Sequence, residues 1–141
     1  MTTKAIVFGA SGTIGSAVRQ RFELDGHETW GTSRSGDGDR TVQYDPSDPD
    51  SVDRLAVLPT MDVVVWAQGM NCNDSVIEFD PATFRSVMDV NTLMIVESLA
   101  ALLRDGRLAD GARLCVVSSV WQLITRQRKL SYTVSKAALD G

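Results

Sequence analysis

A chain of 141 residues, 43% hydrophobic and 23% charged, is long enough for one domain with a buried core. A formal net charge of −4 leaves no basic footprint, so no nucleic-acid partner is expected. No unbroken apolar run of about 18 residues occurs and no signal peptide precedes the first strand-like run, so the expectation is no membrane span and a cytoplasmic location.

Short β-type runs alternate with longer helical ones along the chain. "KAIVF" (4–8) is a near-continuous apolar run, as in a strand buried on both faces. The stretch "TIGSAVRQRFELDG" comes next, with Ile14, Val18 and Phe22 spaced four apart on one helical face and Gly26 as its stop. "ETWGTS" (28–33) and "TVQY" (41–44) read as the second and third strands. "DPDSVDRLAVL" (48–58) reads as a short helix opened by Asp and Pro, and "MDVVVWA" (61–67) as the fourth strand. From Asp80 to about Asp105 the pattern is helical, with Phe84, Val87 and Met88 in one stretch and Leu93, Val96, Leu99 and Leu103 in the next; the change falls near Asn91. "RLCVVS" (113–118) is the fifth strand, and a last helix begins near Ser131.

Strands alternating with helices predict right-handed crossovers and an α/β fold, a doubly wound parallel sheet of five strands. The Gly/Asp-rich loop "SRSGDGDRT" (33–41) is too short for a linker, so residues 1–141 are expected to form a single domain. Cys72 and Cys115 are isolated and lack metal-ligand spacing, which reads as two reduced, half-buried structural thiols. His27, the single histidine, comes after Gly26 just before a strand pattern, which argues against a Ser-His-Asp triad and against zinc; no metal site is expected.

"FGASGTIG" sets Gly9, Gly12 and Gly15 between the first strand and the first helix. A dinucleotide pyrophosphate needs a sharp turn there, a backbone it can approach closely, and a helix whose free N–H groups face the phosphates. Ser11 and Thr13 would add hydroxyl donors, and Ile14 would lie in the same turn. The region is thus a candidate Rossmann-like dinucleotide-binding loop, with steric need in a tight turn as the plainer reading. At the end of the second strand, an acidic residue would hold a ribose 2′-hydroxyl. The sequence has Ser33 and Arg34 instead, which favours NADP over NAD. A solvated loop arginine is the alternative.

Tyr132 and Lys136 stand four apart, one helical turn, so they share a face. Ser119 ends the fifth strand thirteen residues earlier, Asn91 marks the helical change, and "WAQG" brings Ala67, Gln68 and Gly69 to the end of the fourth strand. Most of these lie at or beside carboxyl ends of parallel strands, where open α/β sheets bind ligands.

In order and spacing, GASGTIG, WAQG, Asn91, Ser119 and YTVSK resemble the short-chain dehydrogenase/reductase family over the whole chain. The gap from Ser119 to Tyr132 resembles its reductase-type subclass, whereas the glycine spacing is nearer the extended subclass. The resemblance implies that Tyr132 is the general acid or base for a carbonyl/alcohol pair exchanging hydride with NADP(H). It implies that Lys136 binds the nicotinamide ribose and favours the phenolate, and that Ser119 hydrogen-bonds the substrate oxygen. It implies too that Asn91 holds a relay water through its backbone. Asp45 resembles the aspartate that binds the adenine amino group, although Pro46 beside it has no N–H to offer; a turn or N-cap aspartate is the alternative.

Plainer readings accompany each residue. Ser119 could cap a strand end with Ser118 in its role, Asn91 could relieve a helix kink, and Tyr132 could be a packing residue. Trp121, Gln122, Gln68 and Met70 are candidates for the substrate wall. The family continues past the Tyr-Lys helix with more strands, helices and a subunit interface. The chain is therefore expected to be C-terminally truncated relative to it, and a homo-oligomer if residues beyond Gly141 exist. Besides the reductase reading stand a non-catalytic NADP-binding module or remnant, and an extended-type sugar-nucleotide epimerase or dehydratase.

Overall fold

The computed structural model describes Met1–Asp140. It resolves into two compact units, one of residues 1–68 and 97–117, the other of Gly69–Val96 and the residues from Ser118 onward.

The first unit is built on five parallel strands, β1 (Lys4–Phe8), β2 (Glu28–Ser33), β3 (Thr41–Gln43), β4 (Met61–Trp66) and β5 (Leu108–Val116), in the order β3-β2-β1-β4-β5. The chain moves outward from β1 to β3 and then returns to the other side of β1 with β4. That reversal makes a switch point at the carboxyl ends of β1 and β4. The register pairs Phe8 with Trp66 and Val7 with Gly31. After Lys4, β1 is apolar, and Ala5, Ile6, Val7 and Phe8 are all fully buried. Phe8 stacks on Trp66 at 5.7 Å, and the Trp66 indole N–H donates to Ser98 Oγ at 2.8 Å. Fully burying side chains of this size stabilises by about 1.5–3 kcal/mol each.

Helix α1 (Thr13–Leu24) packs Val18 and Phe22 against Val7, Ala10 and Val65. Ile14 does not join this face: it is exposed at the first turn, so the four-residue spacing overstated the buried stripe by one position. The predicted helix after β3 is a 3-10 helix, Pro49–Val57, with the Asp48 side chain accepting the Asp50 N–H at 3.0 Å and pairing with Arg54 at 2.7 Å. β5 begins five residues before the predicted Arg113, across a register irregularity opposite Met61/Val63. Asp110 and Gly111 are turn-type residues, and they sit here in the irregular part of a strand. Cys115 is exposed on β5, against the half-buried expectation, while Cys72 is half-buried.

Tyr44, just past β3, is buried and meets the Phe8 ring edge-on at 5.9 Å. Burial, with Glu97 adding to it, pushes its phenol up to about 12. The unfolded chain loses that proton near 10.0, so the contribution of a neutral Tyr44 is complete below that pH and is lost as pH rises toward 12. A displacement of that size corresponds to roughly 3 kcal/mol. Alkaline unfolding measured by circular dichroism is expected to move to higher pH in Tyr44→Phe; an unchanged midpoint would contradict the burial.

Pro81–Arg104 is one helical stretch of 24 residues, made of α2 (Pro81–Met88), a π-turn (Asp89–Leu93) and α3 (Met94–Arg104). Its start is fixed by Asp80, which accepts the Thr83 N–H at 2.9 Å, and by Phe79 packing on Phe84 across the first turn. The change expected near Asn91 is the π-turn itself. Met94, Ser98, Ala101 and Leu102 are the buried positions of α3, while Leu93, Val96 and Leu103 of the expected stripe are exposed. The stretch is long and apolar enough to cross a membrane by length and composition alone, a test that core helices also pass. Arg85, Asp89 and Glu97 break it into shorter apolar runs in the sequence.

The second unit holds α2, the π-turn, a 3-10 turn (Val120–Gln122) and helix α4 (Leu130–Ala137). α4 packs against α2, the π-turn and the 3-10 turn.

Candidate active site

In the first unit the glycine loop joins β1 to α1. Gly9 adopts a φ of +73°, and a Cβ there would lie 2.7 Å from Gln68 Cα. Gly15 is more constrained: a Cβ would lie 2.1 Å from the Gly9 carbonyl oxygen. The loop closes on itself through the Gly12 N–H to the Gly9 carbonyl at 3.0 Å, and the Gly9 N–H reaches Thr32 Oγ1 at 3.2 Å. Gly12 is the N-cap of α1, with no side-chain cap and no acidic residue in the first turn. Ser11, Gly12, Thr13 and Ile14 are exposed. An uncapped, solvent-facing helix N-terminus fits a pyrophosphate, because its N–H groups and dipole favour an anion.

Ser33 ends β2, Arg34 comes directly after it, and Asp45 lies just past β3. Ser33 Oγ accepts the Gly36 N–H at 3.0 Å, which sets the turn that carries Arg34, an exposed side chain. Arg19 of α1 steadies the far end of this loop, donating to the Asp39 carbonyl at 2.7 Å and to Thr41 Oγ1 at 3.0 Å. Asp45 Oδ1 accepts from Ser47 N–H at 2.9 Å and from Ser47 Oγ at 2.7 Å. The backbone and side-chain hydrogen bonds of Ser47 are the main reason its carboxyl lies below the usual range, with Arg34 contributing a smaller part. These bonds engage Oδ1 in a turn, and Arg34 lies close enough to act on the carboxylate charge. Ala67 and Gln68 continue from β4, with the Ala67 N–H on the Phe8 carbonyl at 3.0 Å.

In the second unit, Tyr132 and Lys136 lie one turn apart on α4, with Lys136 Nζ 5.8 Å from the centre of the Tyr132 ring. Lys136 is only 3% exposed, and burial lowers its pKa. Asn91 is fully buried in the π-turn. Its Oδ1 accepts the Met70 N–H at 2.7 Å, and its Nδ2 donates to the Met70 carbonyl at 2.9 Å and to Ser135 Oγ at 2.9 Å. Thr92 Oγ1 donates to the Ser135 carbonyl at 3.0 Å, and Ser135 Oγ to the Tyr132 carbonyl at 2.8 Å. Asn91 and Thr92 thus grip α4 between Tyr132 and Lys136, and a Cβ added at Gly69 would lie 3.8 Å from the Asn91 amide oxygen. Ser119 is half-buried, and its Oγ accepts the Trp121 N–H at 3.3 Å at the head of the 3-10 turn that packs on α4. Ser118 Oγ beside it is buried and has no hydrogen-bond partner among the described residues.

The four residues expected to be catalytic therefore all belong to the second unit, Tyr132 and Lys136 on α4 and Asn91 and Ser119 at turns packed against it. Sequence reasoning missed Ser135, and also Asp74 and Ser131, which meet at the start of α4. Serines at positions 131 and 135, four apart on the helix that carries Tyr132, were the available signal.

A family model described as short chain dehydrogenase matches residues 3–141. No curated protein matches the chain. Among solved structures, a short chain dehydrogenase family protein from Francisella tularensis is 20% identical with a TM-score of 0.83, covering 99% of this chain and 60% of its own. The aldohexose dehydrogenase of Thermoplasma acidophilum, in ligand-free form, is 24% identical with a TM-score of 0.83, covering 98% and 57%. The protein BdcA, in complex with NADPH, is 22% identical with a TM-score of 0.86, covering 99% and 61%. The chain thus spans about 60% of the length of these structures, and at such identity they establish the shared parallel sheet. With the family model matching nearly every residue, the chain belongs to the short-chain dehydrogenase family.

Proposed function

We propose that the chain carries the cofactor loop and the proton-transfer residues of an NADP(H)-dependent oxidoreductase acting on a carbonyl/alcohol pair. The observation that carries this reading is the Tyr132–Lys136 pair on α4, with the Lys136 ammonium 5.8 Å from the ring and the intervening turn gripped by Asn91 and Thr92. A bound NADPH would supply the hydride. In this reading the N-terminus of α1, with Ser11 and Thr13, holds the pyrophosphate. Tyr132 gives its phenolic proton to the carbonyl oxygen as the alcohol forms, with the Lys136 charge favouring the phenolate left behind. Ser119 orients that oxygen, releasing the Trp121 N–H or sharing its hydroxyl with it. Asn91 acts by fixing α4, since its side chain is occupied by Met70 and Ser135.

The test is oxidation of NADPH on addition of a panel of aldehydes and ketones, monitored by the loss of nicotinamide absorbance. Tight NADPH binding without turnover on any of them would favour a nucleotide-binding module instead. Cofactor choice rests on Arg34 and Ser33. Arg34→Ala is expected to weaken NADPH binding by about tenfold or more while leaving NADH binding unchanged, as judged by fluorescence titration. Equal loss for both would remove the basis for naming NADP.

A further inference from the structure

Helix α4 has no cap of its own. Its N-cap residue is Lys129, whose side chain makes no capping bond, yet the Leu130 and Ser131 N–H groups both have partners. The partners come from the segment after β4. The Leu130 N–H reaches the Asp74 carbonyl at 3.4 Å, and the Ser131 N–H reaches Asp74 Oδ1 at 3.0 Å. The Ser131 hydroxyl donates to Asp74 Oδ2. Cys72, half-buried on the same segment, lies where burial and Asp74 both raise its thiol pKa. Lys129 Nζ adds bonds to Asn71 Oδ1 at 2.8 Å and to the Cys72 carbonyl at 3.2 Å, and Arg128 pairs with Glu78 at 3.1 Å.

Asp74 is 5% exposed. Burial alone would push its carboxyl up, but the Ser131 and Cys72 hydrogen bonds outweigh it and leave the group below the usual range. A buried anion at a helix N-terminus is favoured by the dipole as well as by these donors. A cap supplied by neighbouring residues of the helix would fix only the helix. One supplied from nearly sixty residues earlier fixes where the helix stands, and so where the residue after Ser131 points.

We propose that Asp74 is a positioning residue for Tyr132, holding the first turn of α4 through the backbone and hydroxyl of Ser131. It rests on Tyr132 being the proton donor only for its bearing on catalysis; the positioning itself is measurable without substrate. The chain has two tyrosines, Tyr44 and Tyr132, so a protein labelled with 3-fluorotyrosine gives two fluorine resonances, assigned by Tyr132→Phe. In Asp74→Ala the Tyr132 resonance is expected to lose its single sharp line, and exchange of the Ser131 and Tyr132 amide hydrogens to speed up by about tenfold or more, with Tyr44 unmoved. Asp74→Asn keeps an acceptor for the Ser131 N–H and is expected to restore the sharp line. The proposal is overturned if Asp74→Ala leaves the Tyr132 line as it was, if it disturbs Tyr44 equally, or if Asn does not rescue. A protein that turns over no carbonyl would sink the reductase reading and leave these resonances to decide this one.

Discussion

Tyr132→Phe is expected to lower kcat for carbonyl-dependent NADPH oxidation by roughly a thousandfold, while NADPH binding and thermal unfolding stay as in the parent protein. The substitution removes one oxygen from a half-buried side chain and leaves the ring against Lys136, so the first turn of α4 and its contacts with Asp74 and Ser135 keep their partners. General acid–base groups contribute roughly a hundred- to ten-thousandfold. Ser131 and Ser135 are already committed to Asp74, Asn91 and the Tyr132 carbonyl. Turnover that survives the substitution would remove Tyr132 from the mechanism. A fall in NADPH affinity of similar size would show instead that the hydroxyl serves binding.

Gly15→Ala is expected to lower stability by about 3 kcal/mol and NADPH affinity by roughly a hundredfold, read by thermal melting and by tryptophan fluorescence titration. The added methyl would sit 2.1 Å from the Gly9 carbonyl oxygen and 2.8 Å from its carbon. Both are backbone atoms of the turn, so α1 would have to move off β1 and open the packing of Val18 and Phe22 on Val7 and Val65. Gly12→Ala is the contrast. Its methyl would be 3.4 Å from the same oxygen, an ordinary contact, and its backbone φ of −80° suits any residue. That variant should melt near the parent and lose affinity alone, because the methyl occupies the exposed turn where an anion would lie. Equal stability losses in the two variants would mean that the close approach at Gly15 is not what orders the loop.

The central strands β1 and β4 were legible because burial on both faces demands near-continuous apolar runs, and AIVF and VVVW supply them. The start of β5 was not, since Asp110 and Gly111 look like a turn unless the partner strand and its irregular register are known. The break near Asn91 could be placed but not its consequence. A π-turn is invisible to a fixed helical period, and the periodicity of the stretch after it selected Leu93, Val96 and Leu103, which are exposed, over the buried Met94, Ala101 and Leu102. For the site, the spacing of Ser119, Tyr132 and Lys136 could be read from the chain, as could the Gly9–Gly15 turn. The anchoring of Tyr132 could not. Asp74 lies in a stretch, NCNDS, with every mark of a surface loop, and only the fold shows its carboxylate buried against Ser131. Asp45 shows the converse: Pro46 beside it made the turn reading available, and the structure has the Ser47 bonds of that turn.

The borrowed cap on α4 also bears on when the chemistry becomes available as the chain folds. An eight-residue helix is too short to persist in water by its own hydrogen bonds. Its anchoring contacts close loops of 57 residues to Asp74 and 44 residues to Asn91. Closures of that span are the slow, entropy-limited part of folding. Tyr132 and Lys136 are therefore adjacent in the gene product from the moment of synthesis, yet their partnership is a late product of assembly. A nascent or partly opened chain presents a tyrosine and a lysine, and only the closed one presents a pair.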